Sequence, residues 1–172
     1  ATISNTSQVK AFDLKTLAPL AAFQVGEDPD GIIYDPASKL VFSMNGSGST
    51  TVINPETNTL VKTIPLPSKK VEYCAVDGKG HLYINLRDQG KVAVVDTKTL
   101  TVDSIWSLNK AAQNTPMAID TAKDRLFVGC RNGYLTIFNT KNGSILQELP
   151  ILGFNCDSIV YDPETRLIFV AN

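Results

Sequence analysis

Apolar positions along this chain come in short runs of strand length, and polar turn residues break each run after a few positions. In one representative stretch the pattern reads as four strands, called A to D: A over residues 31–34, B over 40–44, C over 50–53 and D over 60–65. Strands A and B are nearly continuous apolar runs, which predicts burial on both faces. Strand D alternates, with Leu60, Lys62 and Ile64 set against Val61 and Thr63, which predicts a partly wet outer edge. The A–B turns read Asp-Pro-x-Ser/Thr-Lys/Arg or Asp-Gly-Lys-Gly, and the C–D turns read "NPETN", "DTKTL" and "NTKNG". Proline presets φ at the second turn position, and an Asp or Asn side chain accepts hydrogen bonds from backbone two residues on.

The same pattern recurs. "IIYDPASKLVF" at residues 32–42 returns as "IVYDPETRLIF" at 159–169. The turn aspartates Asp35, Asp77, Asp120 and Asp162 fall 42, 43 and 42 residues apart, and Asp13, Asn54, Asp96 and Asn139 are spaced 41, 42 and 43. Two independent spacings agree. A four-stranded unit repeating about every 42 residues predicts an all-β fold, a β-propeller of four-stranded antiparallel blades, about four of them in this chain. A β-sandwich is the competing reading. One propeller domain over residues 1–172 divides into outer strands at 1–26, full blades at 27–66, 67–108 and 109–151, and inner strands at 152–172. No amphipathic helix is evident, although residues 108–116 have room for one helical turn ended by Pro116. The amino-terminal outer strands and the carboxy-terminal inner strands complement each other. Three architectures follow: a closed four-blade ring, two chains exchanging half-blades in a larger ring, or an ordered piece of a longer propeller.

Composition narrows the function only slightly. Of 172 residues, 43% are apolar and 19% charged, which is globular. Sixteen basic residues against seventeen acidic ones leave a net charge of −1, so nucleic acid and anionic membranes are disfavoured as partners. No apolar run reaches the roughly 18 residues of a membrane span. No signal peptide stands in this chain, which leaves the compartment open. Cys74, Cys130 and Cys156 follow no metal-ligand spacing, so no metal and no cofactor are expected.

The stretches "DPDGIIYDPASKLVF", "VAVVDTKTL", "AIDTAKDRLFVGCRNG" and "YDPETRLIFVAN" resemble the YVTN-type repeat propellers, in particular the bacterial YncE-like group. The tetrapeptide YVTN itself is absent; "YINL", "FVGC" and "FVAN" stand in its place. The resemblance implies a seven-bladed relative of which this chain is about four blades. It also implies a periplasmic or secreted location. Partners implied are a second copy of the chain or the missing blades, with an unidentified small molecule or protein as ligand.

Propeller ligands usually meet the face built from the B–C and D–A loops, and loops on a rigid scaffold are where binding residues concentrate. Candidates there are Arg87, Asp88, Arg131 and Asn132 from the B–C loops, with Lys69, Asp28 and Asp157 from the D–A loops. Arg87 and Arg131 hold equivalent positions in adjacent blades. A shared mouth would suit a carboxylate or phosphate, whereas a salt bridge between blades is the structural alternative. Phe154 is the aromatic expected to be exposed at that mouth. Glu27, Asp28 and Asp30 are an acidic turn with oxygen ligands suited to calcium. Cys130 and Cys156 fall on one face in neighbouring blades, where a disulfide between them would fit an oxidising compartment. His81 lies on the opposite face, as the chain's single histidine, and reads as solvated. No catalytic residue is assigned. The leading expectation is a non-enzymatic binding or scaffold propeller. The alternatives are a lactonase-like hydrolase or lyase and a nucleic-acid-binding propeller.

Overall fold

The computed structural model describes residues 1–172 as seventeen strands in five antiparallel sheets. Strands β1 (Thr2–Ile3), β2 (Gln8–Phe12) and β3 (Pro19–Gln24) form the first sheet. The second joins β4 (Pro29–Asp35), β5 (Leu40–Asn45), β6 (Ser49–Asn54) and β7 (Thr59–Pro65). The third holds β8 (Val71–Val76), β9 (His81–Leu86), β10 (Lys91–Asp96) and β11 (Thr101–Ser107). The fourth holds β12 (Asn114–Asp120), β13 (Arg125–Cys130), β14 (Tyr134–Asn139) and β15 (Ile145–Pro150), and the fifth pairs β16 (Ser158–Asp162) with β17 (Leu167–Ala171). Every strand pairs only with its chain neighbours. The innermost strands β4, β8, β12 and β16 lie side by side from sheet to sheet. The sheets therefore fan from a common inner line, the arrangement of propeller blades, without closing into a barrel.

The turns form through the chemistry their residues carry. Asp35 accepts hydrogen bonds from the backbone N–H groups of Ala37 and Ser38, at 3.2 and 3.0 Å. Asp96 does the same for Lys98 and Thr99, and Asn54 for Glu56 and Thr57. In the Asp-Gly-Lys-Gly turn, Gly78 and Gly80 take φ of 66° and 117°, a region costly for any side chain.

Burial follows the middle of each sheet. Strands β5, β6, β9, β10, β13 and β14, the B and C positions, are buried along almost their whole length. Strand A departs from expectation. In β4 the side chains alternate, and Ile32 and Tyr34 are 41% and 50% exposed. Its apolar run predicted two covered faces, but one face of β4 turns toward the three-stranded first sheet and is left partly open. The equivalent β12 is buried along most of its length. Strand D is wet as expected, and in β7 Ile64 is the one buried residue.

The core is a series of seams between sheets. Phe42, Met44 and Val52 of the second sheet meet Leu82, Ile84 and Val95 of the third. Tyr83, Val92 and Val94 on the other face of that third sheet meet Leu126, Val128 and Phe138 of the fourth. Phe127 and Ile137 then meet Ile159, while Val9 and Phe23 meet Ile53. Alternate residues of one strand thus serve two different seams, which is why the B strands read as nearly continuous apolar runs.

Residues 108–116 form no helical turn. The Glu148 carboxylate of β15 accepts hydrogen bonds from the N–H groups of Asn109 and Lys110, both at 3.2 Å, and of Ala111 at 3.4 Å. Those donors are spent on a neighbouring strand instead of an internal helical bond. Pro116 lies within β12, at the register shift between Asn114 and Met117. Such a bulge tolerates a residue without an N–H. Two single-turn 3-10 segments at Ser4–Thr6 and Arg87–Gln89 occupy B–C connections instead.

Candidate functional site

The face of B–C and D–A loops carries the residues that the sequence singled out, and most of their polar capacity is already used. Arg87 Nη1 donates to Glu72 Oε1 at 2.9 Å, within one sheet. Arg131 Nη2 donates to Asp157 Oδ1, from the fourth sheet to the loop before the fifth. Asp88 accepts from the Ser68 hydroxyl at 2.6 Å and the Lys69 N–H at 3.0 Å. Burial pushes the Asp88 carboxyl's pKa up, but these bonds more than offset it and hold it below the usual range. Asn132 bridges the preceding loop, accepting from Ala112 N–H and donating to the Lys110 carbonyl at 3.0 and 2.9 Å. Asp28 accepts from the Ser4 hydroxyl. Phe154 is 71% exposed, beside Gly133.

The two arginines do not share a mouth. Each is tied to its own carboxylate, and no cavity is lined by both. The cavity on this face, about 210 Å³, brings together Asp28 and Lys69 with Glu27, Asp30, Lys70 and Glu72. Four carboxylates against two ammonium groups make it acidic, the opposite of an anion site. Glu27, Asp28 and Asp30 do not converge as a group able to hold a metal ion.

The cysteines depart from expectation. Cys130 and Cys156 are both fully buried free thiols. On β13 the side chains of Leu126, Val128 and Cys130 point into the seam with the third sheet. Cys156 Sγ instead lies against Gly129, where an added Cβ would come within 2.6 Å of it. The two thiols thus sit on opposite faces of one strand. Matching loop positions brought them close in sequence register, and strand alternation separates them.

Larger cavities lie on the other face, among the A–B and C–D turns, one at each seam between consecutive sheets from the second to the fifth. Their volumes are about 500, 410 and 510 Å³. The middle one holds the most varied chemistry. His81 Nδ1 is 2.8 Å from Asp77 Oδ2, which leaves the far ring nitrogen available. Beneath them Tyr83 is 1% exposed; burial first, and then the charge of Asp77, push its phenol well above the usual range. Lys79 and Lys141 both pair with Asp124, at 3.6 and 2.8 Å. Asp103, Ser104, Asn142 and the edge of Trp106 also line it. Trp106 is fixed between Tyr83 and Phe138, with ring centroids at 5.5 and 5.6 Å. Sequence reading passed over this cleft because its residues come from two sheets and three turns. The one local signal was His81 four residues after Asp77, across a glycine turn that folds imidazole onto carboxylate.

No protein-family profile matches the sequence, and no curated protein matches it. Solved structures do match in fold. Hydrazine synthase of Kuenenia stuttgartiensis superposes with a TM-score of 0.84 at 16% identity, over 97% of this chain and 50% of that one. The computationally designed Ika8 protein superposes with a TM-score of 0.80 at 13% identity, over 96% of this chain and 49% of that one. The chain thus spans about half the length of these structures. At such identities the likeness is one of fold, and it agrees with the sheet order: an all-β assembly of propeller-type blades.

Proposed function

We propose that this chain is a non-enzymatic binding propeller of the YncE-like type, working outside the cytoplasm, and that its ligand is a small, neutral, hydroxyl-rich molecule. The observation that carries this reading is the charge balance of the His81 cleft. Its lysines are spent on Asp124 and its imidazole on Asp77. What faces a ligand is the Asp103 carboxylate, the Ser104 hydroxyl and the Asn142 amide NH2, whose own oxygen is taken by Ser144, beside an indole edge. An unpaired carboxylate, a hydroxyl and an amide beside an aromatic wall suit vicinal hydroxyls better than an anion. Saturation-transfer NMR against a panel of monosaccharides and linear polyols tests it. Binding that is lost in Asn142→Ala and Asp103→Asn is expected. A panel that is silent throughout, or binding untouched by both changes, overturns it.

The hydrolase reading draws on the same His81–Asp77 pair, since a carboxylate that orients an imidazole is the arrangement of a general base. Turnover of lactone substrates that disappears in His81→Ala would replace the binding reading with this one. For the working particle we propose further blades completing the fan, supplied by a second copy or by a longer chain. The fifth sheet supports this, with Val160, Leu167 and Phe169 each more than half exposed. Light scattering on the purified chain separates a closed pair from a single copy.

A further inference from the structure

The seam between the fourth and fifth sheets opens on the turn face as a cavity of about 510 Å³ lined by Asp120, Lys123, Arg125, Tyr161 and Arg166. Three cations against one carboxylate stand out in a chain of net charge −1. That single carboxylate is also spent. Asp120 is 2% exposed and accepts from the N–H groups of Ala122 and Lys123, both at 3.2 Å, and from Arg125 Nη2 at 2.8 Å. Burial pushes its pKa up, and the bonds from Arg125 and Tyr161 outweigh that, so it stays ionised and acts as an anchor.

Arg125 is held in place from two sides. Asp120 grips one arm of the guanidinium, and the plane sits over the Phe127 ring at 5.4 Å. Phe127 is itself wedged against Tyr161, with centroids 5.5 Å apart. One donor of the fork, Nε, is buried with no partner. The Tyr161 hydroxyl lies close to the guanidinium, and the side chain remains 36% exposed at the cavity wall. A guanidinium fixed this way has little further freedom to lose on binding, and its exposed end offers N–H donors to an oxyanion. Lys123 and Arg166, on turns of two different sheets, flank it with exposed charge.

We infer that this cavity is a binding site for a small oxyanion, a phosphate or carboxylate group, with Arg125 as the fixed contact and Lys123 and Arg166 as the closing pair. The site is separate from the His81 cleft and does not depend on the ligand proposed there.

The test is isothermal titration of the chain with inorganic phosphate and, separately, with acetate, at constant ionic strength set by sodium chloride. Constant salt removes the screening that any charged surface shows. One saturable equivalent is expected. Phosphate alone binding assigns the site to phosphate esters, acetate alone to carboxylates, and either result supports the inference. Lys123→Ala with Arg166→Asn changes two exposed turn residues, and Asn suits the φ of 60° that residue 166 adopts. This double variant is expected to bind at least tenfold more weakly at an unchanged melting temperature. Arg125→Lys keeps a charge beside Asp120 but loses the fork, and is expected to weaken binding by a similar factor. No saturable binding of either anion, or affinity within twofold of the parent in both variants, overturns the inference.

Discussion

Asp35→Ala tests whether the turn aspartates do more than shape their own turns. The Asp35 carboxylate is fully buried, although Ala37, two residues on, is exposed. It accepts the N–H groups of Ala37 and Ser38, and beside it lies the hydroxyl of Thr97, which belongs to the next sheet. Burial alone raises its pKa; the hydroxyls of Ser38 and Thr97, with the two N–H groups, reverse that and hold it below the usual value. A hydrogen bond to a charged group contributes about 1.5–3 kcal/mol net. The turn is open to water on its outer side, so the freed N–H groups are partly resolvated and the contributions do not simply add. The expected loss is about 2–4 kcal/mol. Urea denaturation followed by the fluorescence of Trp106, the chain's one tryptophan, measures it through the shift in midpoint. Asp162→Ala is the control: that carboxylate bonds the Glu164 N–H in an equivalent turn but is only partly buried, so its removal should cost clearly less. The sign with pH is fixed by the direction of the shift. A carboxyl whose folded pKa is depressed stabilises above its unfolded value, about 3.9, and that contribution fades as pH falls through the folded value. Asp35→Asn should flatten this part of the acid limb. A loss under about 0.5 kcal/mol in Asp35→Ala, or equal losses in Asp35→Ala and Asp162→Ala, would refute the idea that the aspartate latches one sheet to the next.

Three further outcomes follow from the packing. Phe42 is fully buried in the seam between the second and third sheets, and Phe42→Ala should cost about 3–5 kcal/mol in the same urea assay. Gly143 adopts φ of 70°, and a Cβ there would collide with the Trp106 indole; Gly143→Ala should destabilise by about 1–3 kcal/mol and shift the tryptophan emission, whereas an unchanged spectrum would contradict the contact. Cys130 and Cys156 are buried, and desolvation pushes the Cys130 thiol up to about 12 and raises that of Cys156. Both should therefore resist iodoacetamide in the native protein and react after denaturation, as read by mass spectrometry, and dithiothreitol should leave the melting temperature unchanged.

Much of the fold is written in local chemistry. Asp-Pro and Asp-Gly-Lys-Gly turns stop each strand where the structure stops it, because the aspartate can bond the following N–H groups wherever the chain goes. A spacing of about 42 residues between those turns then dictates four-stranded units, since four short strands and their turns use up that length. Which strands are doubly buried was not legible. "GIIYD" and "LVFSM" look alike as apolar runs, yet β5 has a neighbouring sheet on each face while β4 forms the inner edge. The same gap explains the sites. Arg87 and Arg131 occupy matching loop positions, but their carboxylate partners come from a strand and from the next sheet's loop. Strand alternation set Cys130 and Cys156 on opposite faces of β13. The Arg125 cavity needs Phe127 beneath it and Tyr161 and Arg166 across the seam. Repeats specify each blade from within; which side chains meet between blades depends on how the sheets stack, and only the tertiary structure decides that.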